Sequence, residues 1–256
     1  RTETLSSYEL LLKGKALHHK VQKDALLNAL TTFDDAIKAD EKNGQAYAWK
    51  ACALGQGLFR GYLEEDFNTV WKQAEDNLKK ARELNENDFE VHRLMSEVSL
   101  AMKDFRAAQR HSKICYEQVP NDPRVLSVYG EVCLRTGKVD EGLDAVKLAL
   151  EIDPVAQGKT NADPRHAAVI FGYYMARDKE GCLEQINNLE EIDFKSWLLT
   201  TKICRDEEHE FSNLDWFQEG KKLFSDKDFE KEVQDFRLNN DSATETLISF
   251  AKELFS

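Results

Sequence analysis

The sequence predicts an all-α chain of about fourteen short helices, stacked as hairpins into an α-α superhelix, and three observations carry the prediction. The ending "EQVP" at Glu117 to Pro120 recurs as "EIDP" at Glu151 to Pro154, an offset of 34 residues. At that offset small residues fall opposite small residues: Ser96 with Gly130, Ala108 with Gly142, Cys115 with Ala149. Within the later copy, Leu126, Tyr129, Gly130 and Cys133 follow the i, i+3, i+4, i+7 spacing of one helical stripe, and Gly142, Val146 and Ala149 make a second stripe after an "RTGK" turn. A fixed period in the low thirties marks an array of helical units, each burying its apolar face on the next.

The elements follow in order. The first copy, "YELLLKGKALHHKVQKDALLNALTTFDDAIKAD", places Gly14 on its first helix and Ala29, Phe33 and Ala36 on its second. The second has Ala51 in "QAYAWKACAL" and Ala74, Leu78 and Ala81 in "WKQAEDNLKKARELNEN". Its small residues are 23 apart against 12 for Gly130 and Gly142, so about three extra helical turns are present. Within that insertion Leu58, Phe59, Tyr62 and Leu63 recur at helical spacing, which predicts an extended first helix and a short connection near Gly61 to Asp66. The third copy runs through Ser96, Ala108, Cys115 and Pro120; the fourth opens on Asp122 as N-cap and Pro123 in the first turn. A fifth, "VIFGYYMARDKEGCLEQINNL", restores the 12-residue spacing from Ile170 to Cys182 with Ile at a normally small position. Beyond residue 193 the period fades, but Ser242 with Glu245 reads as a capping box before an apolar stripe of Leu247, Phe250, Ala251 and Leu254. The chain thus divides into an array over 1–192, of about five repeats, and a helical extension over 193–256 that packs on the array and caps it.

On these residues the chain resembles the tetratricopeptide repeat (TPR) family, whose helix-A and helix-B small positions match Gly130 and Gly142, whose alanine matches Ala149 and whose closing proline matches Pro154. The resemblance implies a TPR solenoid that binds a protein or peptide segment in a concave groove. It also implies which residues line the groove: Glu90, Arg93, Glu97 and Leu100 on one helix A, and Arg124, Ser127, Glu131 and Leu134 on the next, with Arg135 beside them. The order of the irregular first repeats is similar to the TPR domains attached to bacterial class III adenylate cyclases and to some winged-helix transcription regulators. That narrower resemblance implies a regulatory module of a larger signalling protein; a free-standing adaptor or co-chaperone is the alternative. Chaperone-binding members grip a terminal carboxylate with Lys and Asn side chains. Where those members place Asn this chain has Glu97 and Glu131, so an acidic chaperone tail is expected to be repelled.

Composition sets bounds on function. The formal charge is −12, and from Asp206 onward 14 acidic residues face 6 basic ones. Such a surface repels phosphate backbones, so nucleic acid is not an expected partner. The longest apolar run, "AAVIFGYYMA", is too short for a membrane span. Five cysteines, Cys52, Cys115, Cys133, Cys182 and Cys204, form no C-x-x-C pair and are odd in number, which points to a reducing, cytoplasmic compartment. No histidine spacing suggests a metal, no phosphate-binding or nucleophile motif occurs, and "RDEEHE" around His209 reads as a charged helix surface. The sequence therefore predicts a binding protein with no cofactor and no catalytic residues of its own.

Overall fold

A computed structural model describes residues 2–156 and 158–255, with side chains from residue 6 onward. Among the described residues there are fourteen α-helices and no strand. Packing divides the chain into two compact units, Arg1–Met102 with Arg110–Val119, and Lys103–Gln109 with Pro120–Ser256.

The first unit holds α1 (Thr2–His18), α2 (Lys23–Ala39), α3 (Gly44–Phe59), α4 (Phe67–Leu84) and α5 (Phe89–Ala101); α6 (Phe105–Gln118) carries the boundary. Helices α1 and α2 meet where Gly14 lies against the Phe33 ring, and Ser7 Oγ donates to Ala36 O at 2.7 Å. Ala51 and Ala74 do the same for α3 and α4, both wholly buried with Leu54, Val70 and Leu78 around them. The insertion follows the expected extended helix and short connection, and departs from expectation only in where two of its apolar residues fall. Helix α3 does run on to Phe59, but Tyr62 and Leu63 lie in the connection. Gly61 adopts φ +65°, the Tyr62 N–H closes back onto Gly57 O at 2.9 Å, and Leu63 packs on Gly57. A left-handed residue ended the helix before the apolar spacing did.

The second unit holds α7 (Pro123–Arg135), α8 (Val139–Ile152), α9 (Asp163–Met175), α10 (Lys179–Ile186), α11 (Phe194–Asp206), α12 (Asp215–Leu223), α13 (Phe229–Gln234) and α14 (Asp241–Leu254). Here the paired glycines have a geometric cause. A Cβ on Gly130 would stand 2.8 Å from Gly142 O, and one on Gly142 would stand 2.8 Å from Leu134 N and 2.9 Å from Gly130 O. Two helix backbones are therefore in close approach, and although the Val146 and Leu134 side chains beside them could shift, the backbone atoms cannot. At the fifth crossing Ile170 is tolerated because Cys182 supplies the small side, its Sγ 3.6 Å from Ile170 O. Helices α11 to α14 share one aromatic core with α7 to α10, centred on Trp197, Phe171, Phe194 and Phe236. The cap of α14 is not Ser242: Asn240 occupies the N-cap and its side chain accepts from Ala243 N at 3.0 Å. Asn satisfies that orphan donor as well as Ser, and it stands two residues earlier.

These crossings give a prediction of opposite signs. Gly142→Leu, and even Gly142→Ala, is expected to lower stability by about 1–3 kcal/mol through overpacking. Gly55, inside α3, has no atom within 4 Å of an added Cβ. Gly55→Ala is therefore expected to raise stability by about 0.5–1 kcal/mol, the ordinary gain of Ala over Gly within a helix. Thermal or urea melts that moved both variants the same way would show the register to be wrong.

Candidate binding faces

In the first unit α5 is capped by Asp88, whose carboxylate accepts from Glu90 N and Val91 N. It brings Glu90, Arg93 and Glu97 into register at i, i+3 and i+7. Arg93 Nε donates to Glu90 Oε2 at 3.1 Å and Nη1 to Glu97 Oε1 at 2.5 Å, while Lys15 Nζ from α1 donates to Glu90 Oε1 at 3.2 Å. Glu90 and Arg93 are only 2% and 5% exposed, and Leu100 is buried too. Burial works against the Arg93 charge, but Glu97 and Glu90 outweigh it and hold its pKa above the usual guanidinium value. The Trp49 ring lies below two cations, Lys15 at 4.7 Å and Arg93 at 5.5 Å from its centroid. Of the four residues expected on this stripe, Glu97 alone presents a substantial share of its side chain, 38%, to solvent.

In the second unit the stripe on α7 is likewise part buried. Arg124 folds onto its own N-cap, with Nη2 to Asp122 Oδ2 at 2.6 Å, and Ser127 Oγ donates to Pro123 O at 2.9 Å. Leu134 is fully buried against Gly142. It lies one turn beyond Gly130, only about 40° away around the helix, so it belongs to the edge of the core. Arg135, 8% exposed, donates to Glu131 Oε2 at 3.0 Å and twice to Phe236 O, at 3.3 and 3.2 Å. The chain's own segment around Phe236 thus covers this end of the stripe, leaving Arg124, Ser127 and Glu131 half-buried. Burial raises the cost of the Glu131 charge, but Arg135, then Lys195 and Arg237, overcome it and hold the carboxyl below the ordinary carboxylate range.

Two features escaped the sequence reading. Lys195 sits over the Phe171 ring, 4.0 Å from its centroid, and beside Phe236 at 5.9 Å. His92 and His111, 19 residues apart, meet with their Nδ1 atoms 2.9 Å apart. His92 Nε2 lies 2.7 Å from Glu86 O, which fixes it as a donor and leaves Nδ1 to accept from His111. Cys115, Cys133 and Cys182 are buried on the packing positions that the repeat assigned them, and every cysteine thiol is pushed up, chiefly by burial: Cys52 and Cys115 to about 12 and Cys204 to about 11. Each sits on a helix-packing position as a small apolar residue. Among the described residues no group of three or more His, Cys, Asp or Glu could hold a metal, and no helix is long and apolar enough to cross a membrane.

No protein-family model matches the sequence, and no curated protein matches it significantly. Solved structures do match the fold. PilF of Pseudomonas aeruginosa aligns over 93% of this chain and 99% of its own at 14% identity, with a TM-score of 0.63. TTC0263, a thermophilic TPR protein in Thermus thermophilus, aligns over 79% of this chain and 99% of its own at 18% identity, with a TM-score of 0.53. The chain therefore has the fold of the tetratricopeptide-repeat proteins, an α-α solenoid.

Proposed function

We propose that this chain is a non-catalytic, cytoplasmic module that binds a segment of a partner protein on a helix-A face, that of α5 within the first unit or that of α7 within the second. The supporting observation is that their charges are fixed before any ligand arrives. Glu97, Arg124 and Glu131 keep 38%, 34% and 37% of their side chains exposed while Arg93, Asp122 and Arg135 hold them in place. Pre-set side chains lose little rotamer entropy on binding, so a modest contact area suffices. Glu90, Arg93 and Leu100 act in this reading as the buried supports of the α5 face, and Leu134 and Arg135 as those of the α7 face. The partner is a mixed-charge or partly basic segment, since both accessible carboxylates repel an acidic one.

In its finer form the proposal makes the module part of a larger signalling protein of the adenylate cyclase or winged-helix kind, with a free-standing adaptor as the second form. A reading frame continuing upstream of Arg1 into a cyclase or winged-helix domain is the outcome expected for the first. Selection of random dodecapeptides on the folded chain, followed by calorimetry, tests the shared core. Enrichment of basic or mixed-charge peptides is expected, and an acidic chaperone tail should give no heat. A failure to enrich any sequence, or tight binding of the acidic tail, would defeat it.

A further inference from the structure

The helix ends of the first unit border an open pocket of about 130 Å³ between α3, α4 and α5. Its walls are almost entirely carbon: Phe59 and Gly55 of α3, Trp71 of α4, Val98 and Ala101 of α5. A cavity of about 150 Å³ with such walls holds a benzene ring, so this one fits a single aliphatic or phenyl side chain. An added Cβ on Gly55 meets nothing within 4 Å, which is the same empty space seen from the helix.

The few polar groups in the wall share one character. Glu97 contributes a carboxylate, and the Gln56 side-chain oxygen is buried with no hydrogen-bond partner. The Cys52 thiol, held neutral by burial, offers only a weak donor. A buried acceptor with no donor is costly, and an incoming N–H relieves that cost. Outside the pocket, Glu64, Glu65 and Asp66 stand exposed on the connection to α4, with Arg60 exposed nearby and Lys23 Nζ 4.0 Å from Glu64 Oε1. Phe59 and Phe67 are 52% and 55% exposed, and Phe67 stacks on Trp71 with centroids 6.1 Å apart. The surroundings are thus apolar at the centre, acceptor-bearing in the wall and acidic at the rim.

We propose that this pocket is the anchor site for a basic protein segment, taking one Leu- or Phe-sized side chain between α3, α4 and α5 while a neighbouring Lys or Arg donates to Gln56 and Glu97. The inference rests on the protein-segment reading above and gives it a location and a chemistry. Size selects the anchor, and charge selects what flanks it: in a chain of net charge −12 the long-range field also favours a cationic segment.

The test uses the whole chain and the octapeptide Ac-GRKLARKG-NH2, with counterparts carrying Ala for Leu, or Glu for every Arg and Lys. Amide chemical shifts locate binding and calorimetry measures it. The Leu peptide is expected to bind saturably below about 1 mM and to move the resonances of Gln56, Val98 and Ala101, with the Ala and Glu counterparts at least about tenfold weaker. Gly55→Leu fills the pocket from inside and improves helix propensity, so it is expected to melt no lower than the parent yet lose at least about tenfold in affinity. Gly55→Ala, which fills less, keeps most of the binding and guards against a folding artefact. Unchanged affinity in Gly55→Leu, or no binding of any of the three peptides, overturns the pocket. Binding that instead moves Arg124 and Ser127 also overturns it, while leaving the broader reading standing.

Discussion

Arg93→Ala is expected to destabilise the protein by about 3–5 kcal/mol, a large part of the total stability of an ordinary domain. The guanidinium is 5% exposed, bridges Glu90 and Glu97, and stands over Trp49. Removing it leaves the 2% exposed Glu90 carboxylate to be balanced chiefly by Lys15, at 3.2 Å. A buried charge that loses its partner suffers far more than the pair contributed, because desolvation has already been spent on both. Replacing both members, Glu90→Leu with Arg93→Met, is therefore expected to recover most of the loss: the volume stays filled, Lys15 can turn toward water, and Glu97 is already 38% exposed. Arg93→Lys should recover little, since one ammonium cannot bridge two carboxylates as the planar fork does. Urea unfolding of the four proteins checks this, and a loss below about 1 kcal/mol for Arg93→Ala would show the pair to be loosely solvated. Because Arg93→Ala perturbs the fold, a binding loss in that variant alone would say nothing about a partner. Gly55 and Glu97 are the safer places to probe.

The buried charges mark where the sequence was legible and where it was not. Gly130 and Gly142 were readable because a backbone contact admits only the smallest side chain, and that demand repeats with the unit. Charged residues were read as solvent-facing, yet Glu90, Arg93 and Arg135 are buried. A signal was present: Glu90, Arg93 and Glu97 at i, i+3 and i+7, and Glu131 with Arg135 at i, i+4, are the spacings at which one helix neutralises its own charges. A helix that pairs its charges internally can bury them.

The turns show the opposite limit. Gly137, in the "RTGK" turn, takes φ +88°, and Lys138 N returns to Cys133 O at 2.9 Å. The same left-handed ending follows other first helices of the hairpins at Lys103, Arg177 and Glu208, with φ of 61°, 59° and 53°. Lys103 stands 34 residues before Gly137, so the backbone keeps the period where the residue type has abandoned it. Each such residue carries strain of roughly 1–2 kcal/mol that the neighbouring packing must outweigh, and nothing in a Lys, Arg or Glu announces it. The cover over Arg135 was equally hidden, since Phe236 lies 101 residues away.

Lys195 gives the last prediction. Its ammonium stands against Phe171 and Phe236 and forms no ion pair among the described residues. Facing it are Arg135 and Glu131 from α7, Asp193 at the start of its own helix, and Arg237. Burial, then repulsion from Arg135, pushes its pKa down from the ordinary lysine value to about 7, with Glu131 and Asp193 pulling the other way. The aromatic faces favour the cation but do not restore what water would have given it. A lysine depressed in the folded state binds fewer protons there than in the unfolded chain between pH 7 and about 10.5. Over that window stability falls as pH falls, and below it the penalty is complete. Lys195→Met keeps the length and the contacts with both rings and removes the charge. It is expected to stabilise the protein by about 1–3 kcal/mol at pH 7, less than the full shift would imply because Glu131 loses one of the cations that hold it ionised. The gain should shrink toward zero as pH rises through about 10.5, above which the lysine is neutral in both states. Urea unfolding of parent and variant at the two ends of the window measures this directly. A destabilised variant at pH 7 would mean that the ammonium is well solvated or paired, and a gain that persisted at high pH would mean that packing, not charge, was responsible.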